Sequence, residues 1–382
     1  MPKIYLDNAA TTRLDEEVLQ AMLPLMTENF GNPSSIHSHG RQVRSAIEKA
    51  RKTVASLINA SPSEIFFTSG GTEADNTAIT CSIDTYGLKH AITSPTEHHA
   101  VLHTLEYLAK QGKIELSYVN IDEKGHVDLV YLEELLSTKP RTLVSLMHGN
   151  NEIGNLIDLE KVGEICKKYD AIFHSDTVQT MGHYKHDVQI TKIDFLVGAA
   201  HKFHGPKGVG FLYINADSKI HPFIHGGSQE RNMRGGTENV YGIVGLAKAL
   251  EIAYKEMAEH KVHIEGLKSR MIENLKATIP DVRFNGDSDN LERSLYTVLN
   301  VSLPPNEDND MLLFNLDIAQ ISCSGGSACT SGSDVGSHVL GALNIEPERG
   351  NVRFSFGKYN TIEEIDQVVE VVAGLYGSAI KA

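Results

Sequence analysis

Seven short apolar runs between about residues 60 and 215 alternate with segments whose apolar residues recur at helical spacing. The runs are EIFFTS, HAITSP, KIELSYVN, RTLVSLMH, AIFHSD, DFLVGAA and GVGFLYI, and helices are predicted to begin near Glu73 and His98. Strands that alternate with helices in this rhythm form a mostly parallel sheet that helices cover on both faces. The pattern therefore predicts an α/β protein built on a mostly parallel, seven-stranded sheet.

The pattern changes after the seventh run. A long helical stretch without proline extends from Glu238 to about Ala277, and we expect it to connect two lobes. The segments SLYTVLNVSLP and NVRFSFGKY and the amphipathic segment TIEEIDQVVEVVAGLYG indicate a smaller α+β lobe. The predicted organisation is a large domain over residues 14–257 and a small domain formed by residues 1–13 and 258–382.

Composition and charge narrow the classes of ligand. With 382 residues, of which 41% are hydrophobic, the chain can fill a large core. The formal net charge of -14 argues against non-specific binding to nucleic acid or anionic lipid, because both need clustered Lys and Arg. The N-terminal segment carries Asp7 and no apolar stretch of signal-peptide length, and no other segment could span a bilayer. We predict a cytoplasmic protein whose partners are small molecules or proteins.

The four cysteines are too few and too scattered for a disulfide framework or a CxxC metal site, so no metal site is predicted. Cys81, Cys166 and Cys323 lie in helix-like or strand-like apolar segments, where a packed thiol is expected. Cys329 differs, because SGGSACTSGS surrounds it with glycine and small polar residues. Such a segment packs poorly, so we expect the Cys329 thiol to be mobile and accessible.

Reactive side chains follow three of the predicted strands, and ligands of open α/β sheets bind beyond strand ends. Gly71 and Thr72 lie where a strand turns into a helix, and the free N–H groups there suit a phosphate, although an ordinary helix cap explains the same residues. Asp176 is either a helix cap or a carboxylate that holds a proton on a heteroaromatic ring nitrogen. Lys202 is either a salt-bridging lysine or an amine whose pKa is lowered by desolvation, so that it can bind an aldehyde.

In this order along the chain, a phosphate site, a ring carboxylate and an aldehyde-binding lysine are the three anchors of pyridoxal 5'-phosphate, and we predict this cofactor on Lys202. His98 opens a helix and could stack on the ring and transfer protons, although adjacent His99 has nearly the same position. Asn151 could bind the ring or the substrate, or simply form a turn. Arg353 is a lone cation in an apolar strand, where it could bind an amino-acid carboxylate or an internal Asp or Glu.

The chain resembles the cysteine desulfurases of the NifS and IscS type, in the class V aminotransferase group of fold-type I pyridoxal-phosphate enzymes. The resemblance runs through YLDNAATT, FGNPSSIHSHG, FTSGGTEADN, TEHHAV, NNEIG, HSDTVQ, HKFHGPKGVG, QERNMRGGTEN, SGGSACTSGS and VRFSFGKY. One departure follows the cysteine loop, where the family often has LEPS and this chain has DVGS at residues 334–337. The catalytic residues lie outside the departure, so it concerns the dynamics of the loop and the identity of the sulfur acceptor.

The resemblance implies a role for each matched residue. Lys202 is implied to hold the cofactor, Asp176 to pair with its ring nitrogen, His98 to stack on the ring as an acid/base, and Cys329 to form a persulfide. Arg353 is implied to bind the substrate carboxylate. The implied cofactor contacts are Gly71, Thr72, Asn151, Gln179, Ala200, His201 and Thr237, and Asn151 is also a candidate substrate contact.

The resemblance also implies a reaction and its partners. The chain is expected to convert L-cysteine to L-alanine, with transfer of the sulfur to Cys329 and then to an iron–sulfur scaffold protein of the IscU or NifU type. Thr237 is implied to reach the phosphate of the neighbouring subunit, which predicts a homodimer. Three alternatives are a selenocysteine lyase, an aminotransferase and a non-catalytic sulfur-assembly scaffold. Nucleotide binding at SGGTEADN is a weaker alternative, because the segment has no Walker lysine.

Overall fold

Strands and helices alternate along the chain in the predicted rhythm. A computed structural model describes residues 3–325 and 336–377. The strands in this part are β1 (Ile4–Tyr5), β2 (Ile65–Thr68), β3 (His90–Thr93), β4 (Glu115–Tyr118), β5 (Leu143–Ser145), β6 (Ile172–Asp176), β7 (Phe195–Ala199), β8 (Gly210–Ile214), β9 (Arg283–Phe284), β10 (Val298–Pro305), β11 (Ile321–Ser322) and β12 (Arg349–Ser355). The helices are α1 (Glu16–Thr27), α2 (Ser38–Leu57), α3 (Gly71–Tyr86), α4 (His99–Lys110), α5 (Leu129–Thr138), α6 (Leu159–Lys168), α7 (Val188–Thr191), α8 (Val240–Thr278), α9 (Leu312–Ile318), α10 (His338–Ala342) and α11 (Ile362–Gly377).

The large sheet has seven strands in the order β2-β8-β7-β6-β5-β3-β4. Strand β8 runs antiparallel to both of its neighbours, and the other neighbouring pairs are parallel. Every residue of β5, β6, β7 and β8 is buried, which explains why apolar and polar residues do not alternate along them as they do in a strand with one face in water. The prediction of a mostly parallel, seven-stranded sheet is confirmed.

Helices cover both faces of this sheet and form a separate hydrophobic core on each face. On one face α1, α2 and the first half of α8 pack against the sheet through Val18, Val43, Ile47, Leu246 and Leu250. On the other face α3 and α4 contribute Ala78, Ile79, Val101 and Leu105. Because both faces are covered, ligands reach the sheet only at the ends of its strands.

Helix α8 connects the large sheet to a smaller lobe, as the sequence predicts. Its second half contributes Leu267 and Met271 to a core that also contains Ile4 and Leu6 from the beginning of the chain. The smaller lobe has a three-stranded sheet in the order β12-β10-β9 and the parallel pair β1-β11. The N-terminal residues thus pack with the last third of the chain, whereas the domain boundaries near residues 13 and 257 stay predictions.

Two further expectations concern membranes and thiols. No helix within residues 3–325 and 336–377 combines the length and apolar character that a membrane span needs. Cys81 and Cys166 are buried in hydrophobic cores, as predicted, and Cys323 is half-buried against the core of the smaller lobe. Cys329 lies outside the described residues, so its predicted accessibility stays a prediction.

Candidate active site

A cavity of about 190 Å³ lies at the carboxyl ends of the parallel strands, where the sequence predicts the ligand site. It brings together nine of the predicted site residues, which come from distant parts of the chain. The nine are Gly71, Thr72, His98, Asn151, Asp176, Gln179, His201, Lys202 and Arg353.

Three predicted residues lie elsewhere or outside the described part of the chain. Ala200 is fully buried in the hydrophobic core, and its neighbour Ala199 lines the cavity instead. Thr237 is exposed and lines a separate cavity of about 160 Å³ together with Ser69. Cys329 lies outside the described residues. The implied contact of Ala200 with the cofactor and the implied contact of Thr237 with a neighbouring subunit stay predictions.

Lys202 ends a one-turn 3-10 helix (Ala200–Lys202) that directly follows β7, so the end of the strand fixes its position. Its Nζ donates hydrogen bonds to the carbonyl oxygens of Ala9, at 2.5 Å, and Ala10, at 3.0 Å. These carbonyls belong to the segment YLDNAATT at the beginning of the chain, which thereby forms part of the cavity. Sequence reasoning missed them as site groups, because a backbone carbonyl leaves no side-chain signal.

Asp176 ends β6 and caps no helix, since the next helix along the chain begins at Val188. Its Oδ1 accepts a hydrogen bond of 2.8 Å from the backbone N–H of Val178. Burial raises the pKa of Asp176, while the Val178 N–H and the charge of Lys202 act in the opposite direction. Of the two alternatives for Asp176, the geometry fits the carboxylate that faces a ligand.

The start of α3 forms one end of the cavity. Helix α3 begins at Gly71, its N-cap is Gly70, and no side chain of the described residues caps it. An added Cβ at Gly71 would lie 2.8 Å from Cγ2 of Val178, so a larger residue there would clash with the Val178 side chain. An uncapped helix start with free N–H groups attracts an anion, which matches the predicted phosphate site.

The two adjacent histidines have different surroundings. His98 is the N-cap of α4, where its Nδ1 accepts a 3.2 Å hydrogen bond from the N–H of Ala100, and its ring lines the cavity. Burial and the nearby charge of Lys202 lower the pKa of His98 to about 4, so the ring is neutral near pH 7, and its proton is on Nε2 because Nδ1 accepts from Ala100. The ring of His99 instead contacts the rings of His103 and His338.

Arg353 binds an internal carboxylate and also faces the cavity, so both alternatives that its sequence position left open apply. Its side chain is 1% exposed, and its Nη2 donates to Oδ1 of Asp7 at 2.8 Å while its Nη1 donates to the carbonyl of Asn151 at 2.9 Å. The guanidinium also lines the cavity, and its buried Nε has no hydrogen-bond partner among the described residues. An internal carboxylate therefore orients Arg353 while the group still faces the ligand space.

Sequence reasoning missed Asp75, Met147 and Val178, which also line the cavity. Met147 and Val178 contribute apolar surface, and nothing in their sequence context distinguishes them from core residues. Asp75 could have been found, because it lies one helical turn after Gly71 and therefore on the same side of α3.

Comparison with known proteins places the chain in a family. The aminotransferase class-V family matches residues 4–368. The chain is 46% identical over 375 residues to the cysteine desulfurase IscS of Dictyoglomus turgidum, a match that covers 97% of this chain and 93% of the relative. It is 42% identical over 376 residues to the cysteine desulfurase NifS of Azotobacter vinelandii, with 97% and 92% covered. The chain belongs to the cysteine desulfurase family.

The fold of this cysteine desulfurase family member agrees with a solved structure as well. A NifS-like protein that is 38% identical superposes with a TM-score of 0.90 and covers 99% of this chain and 100% of its own. The enzymes of this family depend on pyridoxal 5'-phosphate.

The cavity fits that cofactor. The N–H groups at the start of α3 suit the phosphate, buried Asp176 suits the ring nitrogen, and the amine of Lys202 suits the aldehyde. Gln179, whose Nε2 donates to the carbonyl of Ala9 at 3.0 Å, lines the same cavity.

Proposed function

We propose that this protein is a pyridoxal-phosphate-dependent cysteine desulfurase that converts L-cysteine to L-alanine and takes the sulfur onto Cys329 as a persulfide. The observation that carries this proposal is the convergence of Lys202, Asp176 and Arg353 on one cavity, in a chain of the cysteine desulfurase family. The first two suit the cofactor, and the third suits the carboxylate of an amino acid.

Substrate binding is assigned to Arg353. Asp7 and the carbonyl of Asn151 hold its guanidinium in one orientation, and the unpartnered Nε remains a donor within the described site. A carboxylate bound by this group would hold the amino acid in the cavity that Lys202 also lines. Charge-assisted hydrogen bonds of this kind give both affinity and orientation.

Proton transfer is assigned to Lys202 and His98. When bound, the cofactor supplies an electron sink that makes the Cα proton of the amino acid acidic. Lys202 would take up that proton through its amine, and Asp176 would hold a proton on the ring nitrogen of the cofactor. His98 is neutral because burial lowers its pKa to about 4, and it would donate its Nε2 proton and take it back in the other proton transfers of the reaction.

Sulfur transfer is assigned to Cys329, which lies outside the described residues. The Cys329 thiolate attacks the sulfur of the substrate, so an S–S bond forms and the substrate C–S bond breaks. The electron pair of the broken bond stays with the substrate carbon, which takes up a proton and leaves as part of alanine. No external oxidant is needed, since the carbon is reduced as the sulfur is oxidised.

We also propose a homodimer, an acceptor and a cellular location. The exposure of Thr237 supports its predicted contact with the phosphate of a neighbouring subunit, because within one chain it does not line the main cavity. The proposed acceptor of the sulfur is an iron–sulfur scaffold protein of the IscU or NifU type, and the proposed location is the cytoplasm.

The proposal is tested by the visible spectrum of the purified protein before and after addition of L-cysteine, with alanine, sulfide and protein-bound persulfide measured afterwards. No keto acid is added, because an aminotransferase needs one and a desulfurase does not. We expect a coloured protein, a spectral change and equal amounts of alanine and released or bound sulfur. A colourless protein from which borohydride traps no cofactor on Lys202 would instead indicate a non-catalytic scaffold.

The assignment of Cys329 is tested with the variant Cys329→Ala. The variant should show the spectral change with L-cysteine but form no persulfide, because the change depends on the cavity and the persulfide on the thiol. Cys323→Ala is the control, since burial raises the pKa of the Cys323 thiol to about 12 and keeps it unreactive. Full desulfuration of cysteine by Cys329→Ala would contradict the assignment.

A further inference from the structure

Three carboxyl groups lie buried together beside the cavity. Asp75, Glu97 and Asp176 are 1%, 1% and 5% exposed, and Asp75 and Asp176 line the cavity itself. Carboxyl groups that are buried close to each other cannot all be ionised, because each negative charge raises the pKa of the others and burial adds to the effect. The distribution of protons among the three therefore decides how much negative charge faces the cavity.

Helix α3 places Asp75 against β6. His174 and Asp176 occupy alternate positions of β6 and so project from the same face of the strand. Oδ1 of Asp75 lies 3.3 Å from Nε2 of His174, and both atoms are buried without a hydrogen-bond partner among the described residues. Nδ1 of His174 lies 2.8 Å from Oγ of Ser145. Burial lowers the pKa of His174 to about 3, so the histidine is neutral and brings no compensating charge to Asp75.

Burial raises the pKa of Asp176, but two neighbours favour its ionised form, namely the N–H of Val178 at 2.8 Å and the charge of Lys202. Asp75 has no comparable support from the described residues: burial raises its pKa well above the usual value, and the charges of Asp176 and Glu97 raise it further. Burial also raises the pKa of Glu97, although its Oε1 accepts the N–H of Met147 at 2.8 Å, and its Oε2 has no partner in the described part of the chain.

We infer that Asp75 is held as a neutral acid that donates its proton toward Nε2 of His174, and that this leaves Asp176 as the one charged carboxylate of the buried group. Asp75 is then a positioning residue, because it acts through Asp176 and His174 rather than on the substrate. A single negative charge matches a single protonated ring nitrogen of the cofactor. This consequence for the cofactor rests on the proposed function, whereas the protonation state of Asp75 does not.

The protonation state is tested by infrared spectroscopy of the full-length protein, with and without cofactor, in water and in D2O. The difference spectrum of wild type minus Asp75→Asn should show the carbonyl band of a protonated carboxylic acid, which shifts in D2O. It should show no band of an ionised carboxylate. Asp194→Asn is the control, because burial raises the pKa of Asp194 as well and its band must be assigned separately. Loss of an ionised-carboxylate band in Asp75→Asn would overturn the inference, and the cofactor-free measurement does so whatever reaction the protein catalyses.

A second variant and a label keep the test decisive if Asp75→Asn folds poorly. When the protein is made with aspartate that carries 13C at the side-chain carboxyl, the bands of protonated aspartates shift and can be told from those of glutamates. In the variant Asp194→Asn the band of Asp194 is absent, so the band of Asp75 can be observed. Absence of an aspartic acid band from that background would refute the neutral state. Its presence, shifted by the label and retained when Asp176→Asn is added to that background, supports the neutral state without any substitution at Asp75.

The positioning role is tested by the affinity for cofactor and by the pH dependence of the cofactor absorbance. Asn replaces a neutral acid with a neutral amide, so Asp75→Asn should keep the dissociation constant within about threefold of wild type and leave the pH midpoint unchanged. Asp176→Asn removes the charged partner and should raise the dissociation constant by about 10-fold to 150-fold. An Asp75→Asn variant that weakens binding as much as Asp176→Asn, or that moves the pH midpoint, would contradict the neutral state of Asp75. An Asp75→Leu variant, which removes the donor, should move the pH midpoint; the wild-type midpoint in that variant would contradict the positioning role.

Discussion

The floor of the cavity and its wall are built from different kinds of contact. The floor, formed by Gly71, Asp176 and Lys202, consists of residues that end a strand of one sheet or lie within three positions after it. The wall, formed by Asp7, Ala9 and Arg353, joins residues that are as much as 346 positions apart. The proposed cofactor contacts belong mainly to the floor, and the proposed carboxylate contact belongs to the wall. Substitutions in the two regions should therefore change different measured quantities.

The two regions also differ in what stabilises them. The strands that carry the floor are buried on both faces between two hydrophobic cores, so their ends have little freedom to move. The wall depends on the docking of the N-terminal segment, which Asp7 ties to Arg353 and the carbonyl of Ala9 ties to Lys202. The wall thus forms only when the beginning and the end of the chain are both in place.

The largest effect is expected in the floor. Lys202→Ala removes the amine that we assign to both cofactor attachment and proton transfer, so turnover should fall by about 10²-fold to 10⁴-fold or more. The rate of alanine formation measures the loss, and borohydride reduction followed by mass spectrometry shows whether any cofactor remains attached.

The matched control for this variant is Lys161→Ala, since the Lys161 side chain is 69% exposed on α6 and pairs only with nearby Asp158 among the described contacts. It should have the activity of the wild type. If Lys202→Ala kept more than a tenth of the wild-type rate, the floor would not be the catalytic region.

A smaller and different effect is expected in the wall. Arg353→Gln removes the charged donor for the substrate carboxylate, so kcat/KM for L-cysteine should fall by about 10-fold to 150-fold, chiefly through a higher KM. The absorbance of the bound cofactor should not change, because the floor is intact. Steady-state kinetics and the visible spectrum measure the two quantities on the same preparation.

Arg349→Gln is the control for this variant. Arg349 is also a buried arginine of β12, but it binds Ser302 and Asp281 and does not line the cavity. Its loss should lower stability and leave KM unchanged. An equal rise of KM in both variants would mean that the effect arises from damage to the strand, and the division between floor and wall would be lost.

The same division separates what the sequence predicts from what it does not. Asp176 and Lys202 could be predicted because a residue that ends a buried strand of a parallel sheet has a known direction toward the ligand site. Gly71 could be predicted because a glycine-rich turn into a helix has a defined chemistry. Each of these inferences needs only a local pattern, and the structure brings all three residues to one cavity.

The wall could be predicted only in part. The position of Arg353 in an apolar strand indicated a partner, but Asp7 lies too far along the chain for a pattern to pair the two. Spacing could not choose between His98 and His99, because both lie at the start of one helix and only packing decides which ring faces the cavity. The predicted cofactor contact of Ala200 stays a prediction, because the structure shows only that its neighbour Ala199 lines the cavity.

His183 lies between the floor and the smaller lobe. Among the substitutions considered for the floor and the wall, a change at His183 is expected to have the smallest effect. Its Nε2–H donates to the carbonyl of Lys202 at 3.3 Å, and its Nδ1 lies 3.1 Å from the hydroxyl of Tyr296. Burial lowers the pKa of His183 to about 4; the Lys202 carbonyl raises it and the charge of His260 lowers it. The contact therefore holds with a neutral ring.

The variant His183→Gln should make the stability of the protein less sensitive to acid. In the unfolded wild type the pKa of His183 is near 6.5, whereas in the folded protein it is about 4. As the pH falls from about 6.5 toward 4, the unfolded chain therefore binds a proton that the folded chain does not, and this lowers the free energy of unfolding. Above about pH 6.5 the residue has no such effect. Between pH 7 and pH 5 the wild type should lose up to about 2 kcal/mol more than the variant, whose amide does not titrate. Urea unfolding of both proteins at pH 7, 6 and 5, with cofactor in excess, measures the difference. Parallel pH profiles would show that the ring at this junction can be protonated without breaking the contact, and that the floor and the smaller lobe are less tightly joined than the distances indicate.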